Sequence, residues 1–110
     1  MGLMYRTFLE GSVVYACGKC RTHLATDEYV LSRQFQGKYG TAYLFHQVVN
    51  VMQGDEQDRA MTTGLHTIKD VLCSKCKTTL GWIYVKAYND DNKYKEGKCV
   101  LESKLLAEAH

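Results

Sequence analysis

Cys17-Gly18-Lys19-Cys20 and Cys73-Ser74-Lys75-Cys76 are the two stretches on which the fold of this chain turns. Each sets two thiols three residues apart, so both sulfurs can reach one ion while backbone amides of the turn hydrogen-bond the thiolates. Two such knuckles supply the four sulfurs of a closed tetrahedral site. Cys17, Cys20, Cys73 and Cys76 are therefore the predicted ligands of one structural zinc ion. Lys19 and Lys75 hold equivalent places inside the knuckles, where they offset the double negative charge of a zinc tetrathiolate centre. The 52 residues between Cys20 and Cys73 far exceed the roughly 15–20 of a compact ribbon. The ion is thus expected to clamp two distant hairpins and to contribute on the order of 10 kcal/mol to folding.

Other uses of these cysteines fit less well. A thioredoxin-like redox pair would sit in a βαβ unit, which does not surround Cys17-Gly18-Lys19-Cys20, and would leave the second knuckle unexplained. A disulfide framework belongs to an oxidising compartment. A catalytic zinc needs an open coordination position, and four thiolates leave none for water.

The 110 residues correspond to a single domain, 1–110, with its motif core over 17–102. A hydrophobic fraction of 45% and a charged fraction of 24% are those of a globular protein, excluding disordered and fibrous classes. The net charge of +2 comes from lysines and arginines scattered among acids, so no basic field forms and nucleic acid is not an implied partner. The longest apolar runs, Val48 to Met52 and Leu80 to Val85, fall far short of the roughly 18 residues that span a bilayer. Met1 to Glu10 lacks the basic start and apolar core of a signal peptide, and the chain is expected to stay inside the cell.

With no proline in the sequence, its nine glycines become the main turn signals. Between them, Ser12 to Ala16, Tyr29 to Phe35, Thr41 to Met52, Gln57 to Thr63, His66 to Leu72, Gly81 to Tyr88 and Lys98 to Leu105 are rich in Val, Ile, Tyr, Thr and Phe and read as strands. Gly81-Trp82-Ile83-Tyr84-Val85 suits a strand packed on both faces, and Gly54-Asp55 resembles a hairpin turn. Asp90 to Lys95 is predicted as one helical turn, capped by Asn89 or Asp90 and ended by Gly97. Leu101 to Ala109 fits helix or strand equally. The fold class is all-β and mainly antiparallel.

Cys99, in Lys98-Cys99-Val100-Leu101, reads first as a buried small hydrophobe and second as a redox nucleophile. His23, His46, His66 and His110 show no ligand spacing.

Cys17, Cys20, Gly40, Leu44, Asn50, Gly64, Cys73, Cys76, Gly81, Trp82, Tyr84, Lys95 and Glu102 stand at the spacings of the Yippee family pattern, and the chain resembles that family from Cys17 to Glu102. Thr41-Ala42-Tyr43-Leu44-Phe45 and Tyr94-Lys95-Glu96-Gly97-Lys98 are similar to the family's own segments. The resemblance implies two antiparallel sheets clamped by one Zn(Cys)4 site, the β-tent (Mss4-like) fold shared with the thalidomide-binding domain of cereblon and with Mis18. It further implies a cytoplasmic and nuclear protein, as some family members associate with GID/CTLH-type ubiquitin ligases, and the expected function is a non-enzymatic, zinc-stabilised protein-interaction module that could serve such a ligase.

Of cereblon's three-tryptophan cage, only the strand bearing Trp82 and Tyr84 carries over, since the other positions fall near Thr62 and Ile68. The expected site is instead a cleft of Phe45, Trp82 and Tyr84 that receives a side chain or peptide terminus, small ligands being a lesser expectation. The alternative is a thiol redox enzyme resembling B-type methionine-sulfoxide reductases, with Cys99 as nucleophile. That pattern wants arginine two residues before the cysteine and asparagine two after it, where this chain has Gly97 and Leu101.

Overall fold

The computed structural model describes residues 9–11 and 13–109. Expectations placed on residues 1–8, on Ser12 and on His110 lie outside that range. Among the described residues nine strands form two antiparallel sheets. The smaller sheet has the order β2-β1-β9, built from β1 (Val14–Cys17), β2 (His23–Thr26) and β9 (Leu106–Ala109). The larger has the order β3-β4-β8-β7-β6-β5. Its members are β3 (Val30–Gly37), β4 (Gly40–Phe45), β5 (Val51–Met61), β6 (Gly64–Cys73), β7 (Thr79–Ala87) and β8 (Cys99–Glu102). Among the described residues no helix is long and apolar enough to cross a membrane.

Side chains of a strand alternate between faces, and the central strands of the larger sheet bury both. One face carries Phe45, Val71, Leu80, Cys99 and Leu101 into a core shared with Tyr15, Leu24 and Ala25 of the smaller sheet. The opposite face carries Ala42, Leu44, Ile68, Trp82, Tyr84 and Val100. β7, between β6 and β8, is thus packed on both sides as its alternation predicts. Gly81 is required there because a Cβ would overlap the Val100 carbonyl of β8.

Several strand boundaries differ from the sequence reading: His23–Thr26 is a strand that reading did not include, and the strand read over Lys98 to Leu105 ends at Glu102, where a 3₁₀ turn begins. Thr41 to Met52 is not one strand. β4 stops at Phe45, and the following segment turns to the smaller sheet, where the Val49 amide donates to the Leu24 carbonyl over 2.8 Å. Asn50, at φ 59°, redirects the chain into β5. Gly54-Asp55 is no hairpin turn either, since it lies within β5 where the register slips between Gln53 and Glu56. Bulges and tight turns both favour glycine, so the residue alone does not separate them. The turn falls eight residues later, where Met61 pairs with Gly64 at φ 124°.

The helical turn over Asp90–Lys95 is present as a 3₁₀ helix, and the Asn89 side chain accepts a hydrogen bond from the Asp91 amide as its cap. Leu101 to Ala109 resolves into the end of β8, a 3₁₀ turn at Ser103–Leu105, and β9.

Candidate metal centre and aromatic cleft

The two knuckles superpose residue for residue in their hydrogen bonding. The Cys17 amide donates to the Thr22 carbonyl and the Cys73 amide to the Thr78 carbonyl, both over 2.9 Å. The Arg21 amide returns to the Cys17 carbonyl over 2.8 Å and the Lys77 amide to that of Cys73 over 2.9 Å. Arg21 and Lys77 adopt the same left-handed conformation, with φ of 66° and 64°. Two further contacts match as well, Cys20 Sγ to Thr22 Oγ1 and Cys76 Sγ to Thr78 Oγ1, each 3.1 Å. The repeating unit is therefore six residues long, Cys-x-Lys-Cys-(Arg/Lys)-Thr, and its last two positions escaped the sequence reading although both are visible in the sequence.

The first knuckle is the turn between β1 and β2, the second the turn between β6 and β7. The four sulfurs lie within 4.8 Å of one another, with Cys17 to Cys76 at 3.6 Å and Cys20 to Cys73 at 3.5 Å. A tetrahedral zinc–thiolate site with bonds of about 2.3 Å has sulfur–sulfur edges of about 3.8 Å, so this constellation fits one zinc ion. Burial pushes the Cys17 thiol up to about 12. At Cys20 burial also acts upwards, but hydrogen bonds from the Thr22 hydroxyl and amide outweigh it and hold the thiol at about 6. The Thr78 hydroxyl likewise lowers Cys76. A soft divalent cation held by Cys17, Cys20, Cys73 and Cys76 would favour the thiolate form of all four, and its binding would release protons. Lys19, Arg21, Lys75 and Lys77 are exposed around the centre and offset its charge.

On the opposite face, the larger sheet bounds a cleft of about 870 Å³. β7 supplies Trp82 and Tyr84 to it, while residues of β3 and β5, the two edge strands, stand among its walls. Trp82 is 9% exposed, its ring edge-on to Tyr84 with centroids 6.3 Å apart. The indole N–H partly offsets the upward push of burial on the Tyr84 phenol, yet it completes no hydrogen bond.

Phe45 does not join this cleft. Register explains why: Leu44 and Trp82 both pair with Val100, whereas Phe45 and Ile83 both pair with Cys99, one residue along and so on the other face. Phe45 packs edge-on against Tyr15 in the core between the sheets. Of the two non-aromatic positions, Thr62 lines the cleft and Ile68 is buried beneath it. Phe35 and Tyr94 add further aromatic rings to its lining, which the sequence reading missed because both come from distant segments. Cys99 is 2% exposed beside Phe45, with its thiol pushed up to about 12 by burial.

A family model described as "Yippee zinc-binding/DNA-binding /Mis18, centromere assembly" matches residues 13–109. The chain belongs to the Yippee family. A yippee-like protein of Arabidopsis thaliana is 46% identical over 110 residues, which is all of this chain and 90% of that one. The human protein yippee-like 3 is 50% identical over 88 residues, covering 80% of this chain and 74% of its own. Among solved structures, the Mis18 "Yippee-like" domain aligns with a TM-score of 0.70 at 14% identity, covering 89% of this chain and 95% of that chain. At that identity the likeness speaks for the fold, which the Yippee chain and the Mis18 domain share.

Proposed function

We propose that this Yippee protein is a non-enzymatic interaction module in which a zinc-stapled β scaffold presents the Trp82–Tyr84 cleft to a segment of a partner protein. The observation that carries this reading is the cleft itself. Its aromatic floor lies between two edge strands whose outer backbone groups have no neighbour among the described strands, an arrangement suited to an extended peptide. The modest net charge of +2 favours a protein partner over nucleic acid. The closed sulfur set and the burial of Cys99 both weigh against a catalytic centre built on the cysteines.

Membership of a GID/CTLH-type ubiquitin ligase, in cytoplasm and nucleus, is the finer form of the proposal, and its support is the family resemblance. The test is capture of tagged protein from its native cells, with zinc measured in the same sample, alongside a Tyr94→Ala variant. Tyr94 is 59% exposed on the cleft wall, so its truncation should leave stability unchanged. Ligase subunits held by the wild type and lost by the variant support the reading. Equal retention by both proteins refutes a role for the cleft.

A further inference from the structure

Lys95 is 3% exposed at the end of the 3₁₀ turn and lines the cleft. Its ammonium donates one hydrogen bond, to Thr63 Oγ1 over 3.1 Å. Three rings surround it, with the Phe35, Tyr84 and Tyr94 centroids 5.3, 5.5 and 5.9 Å from Nζ. Among the described residues it enters no ion pair. An aromatic cage of this kind ordinarily receives a cation from outside. Here the chain's own lysine fills it, so an incoming ammonium, methylated lysine or peptide N-terminus would meet like charge. Burial also disfavours the ammonium, which a bound anion would relieve.

The neighbouring Trp82 N–H is buried and, although the Tyr84 phenol lies near it, completes no hydrogen bond. Buried donors of this sort are usually satisfied, and those that are not call for an explanation. Two other charged groups of the cleft have partners: the Glu102 carboxylate accepts the Tyr39 amide over 2.7 Å, and the Arg59 guanidinium donates to Gln57 over 2.8 Å. Among the described residues neither of the two carboxylates that line the cleft, Asp70 and Glu102, pairs with the Lys95 ammonium or the Trp82 N–H, which leaves these two donors open to an acceptor from outside.

We infer that the cleft recognises the C-terminal carboxylate of a partner chain, seated against Lys95 Nζ and the Trp82 N–H, with the partner's last side chain against the aromatic walls. This rests on the interaction reading above and names its ligand chemistry. A chain end brings a carboxylate and a peptide carbonyl close together, two acceptors for two donors. It also lets the rest of the peptide leave along the β3 or β5 edge.

The probe is a set of N-acetylated pentapeptides ending in a hydrophobic residue, each made as the free acid and as the carboxamide. Binding is read by calorimetry and by fluorescence of Trp82, the sole tryptophan of the chain. Free acids are expected to bind at least tenfold more tightly than the matching amides, and Lys95→Met to abolish that difference. Equal binding of acid and amide overturns the inference and leaves the interaction reading standing. Amidated peptides with an internal aspartate that bind as well as free acids overturn it too, since the carboxylate would then be a side chain's. If no peptide binds by either readout, both this inference and a peptide-binding cleft fall. The acid–amide comparison uses wild-type protein, so it holds whether or not the Lys95 variant folds.

Discussion

The hydroxyl of Thr22 lies 3.1 Å from the sulfur of Cys20, in a position to donate to a thiolate that also binds metal. Groups that orient ligands in this way typically change metal affinity by about 10–100-fold when removed. Thr22→Val preserves shape and deletes the donor, so it is expected to weaken zinc binding by roughly tenfold in competition with a chromophoric chelator. Thr78→Val should match it, because the second knuckle repeats the contact at 3.1 Å. Unchanged affinity in both variants would mean that the hydroxyls are bystanders.

Zinc removal should abolish the fold. The site joins a hairpin turn of each sheet, and its loss removes on the order of 10 kcal/mol, comparable with the whole stability of a small domain. Chelation of the wild type, or Cys76→Ser, is expected to eliminate cooperative thermal unfolding and the near-ultraviolet dichroism of Trp82. A metal-free protein that still melts cooperatively would assign the metal a different role.

Gly81→Ala tests how tightly β7 approaches β8. The added methyl would overlap the Val100 carbonyl, forcing the backbones apart at the centre of the larger sheet. Urea denaturation should show a loss of about 1–3 kcal/mol or more. Full stability in the variant would contradict the strand separation described.

Lys95 makes stability depend on alkaline pH. Burial holds its ammonium below the ordinary lysine value, so the unfolded chain keeps the proton to higher pH than the folded one. Stability then rises with pH from the folded value up to about 10.4, the unfolded one, and is lost again as pH falls through the folded value. Lys95→Met removes this dependence. Measured by denaturation between pH 7 and 10, the stability of the wild type relative to the variant should rise with pH; a constant difference would sink the argument.

Cys99 should resist alkylation. With its thiol at about 12 and 2% exposure, it presents almost no thiolate at pH 8. Iodoacetamide followed by mass spectrometry should leave it unmodified in folded, zinc-loaded protein and modify it after unfolding. Rapid labelling of Cys99 in the folded state would revive the redox reading.

The zinc set was legible because ligand chemistry demands a particular residue at a particular local spacing, and Cys17, Cys20, Cys73 and Cys76 meet it within two short turns. The all-β class was legible from strand-like composition. Boundaries were less so: Gly54 marks a bulge and Gly64 follows a turn, although glycine suits both. The strand β9 gains its pairing from β1, a long-range contact that local sequence does not announce, while β2 is only four residues long and pairs with β1 across the first knuckle. Phe45 was assigned to the cleft by aromatic character alone. Strand parity, known only once Phe45 is paired with Cys99 and Leu44 with Val100, sends it to the other face. Phe35, Tyr94 and Lys95 converge from β3 and the 3₁₀ turn, so their partnership exists only in three dimensions.

The spacing of the knuckles also imposes an order in time. During synthesis Cys17 and Cys20 emerge as a two-sulfur half-site and wait for 52 more residues before the second pair appears. Even then the sheet that carries them gains β9, on the other side of β1, only after Cys76 by a further thirty or so positions. The nascent chain therefore holds two loose thiols while those 52 residues are added, and a complete set of four sulfurs comes late.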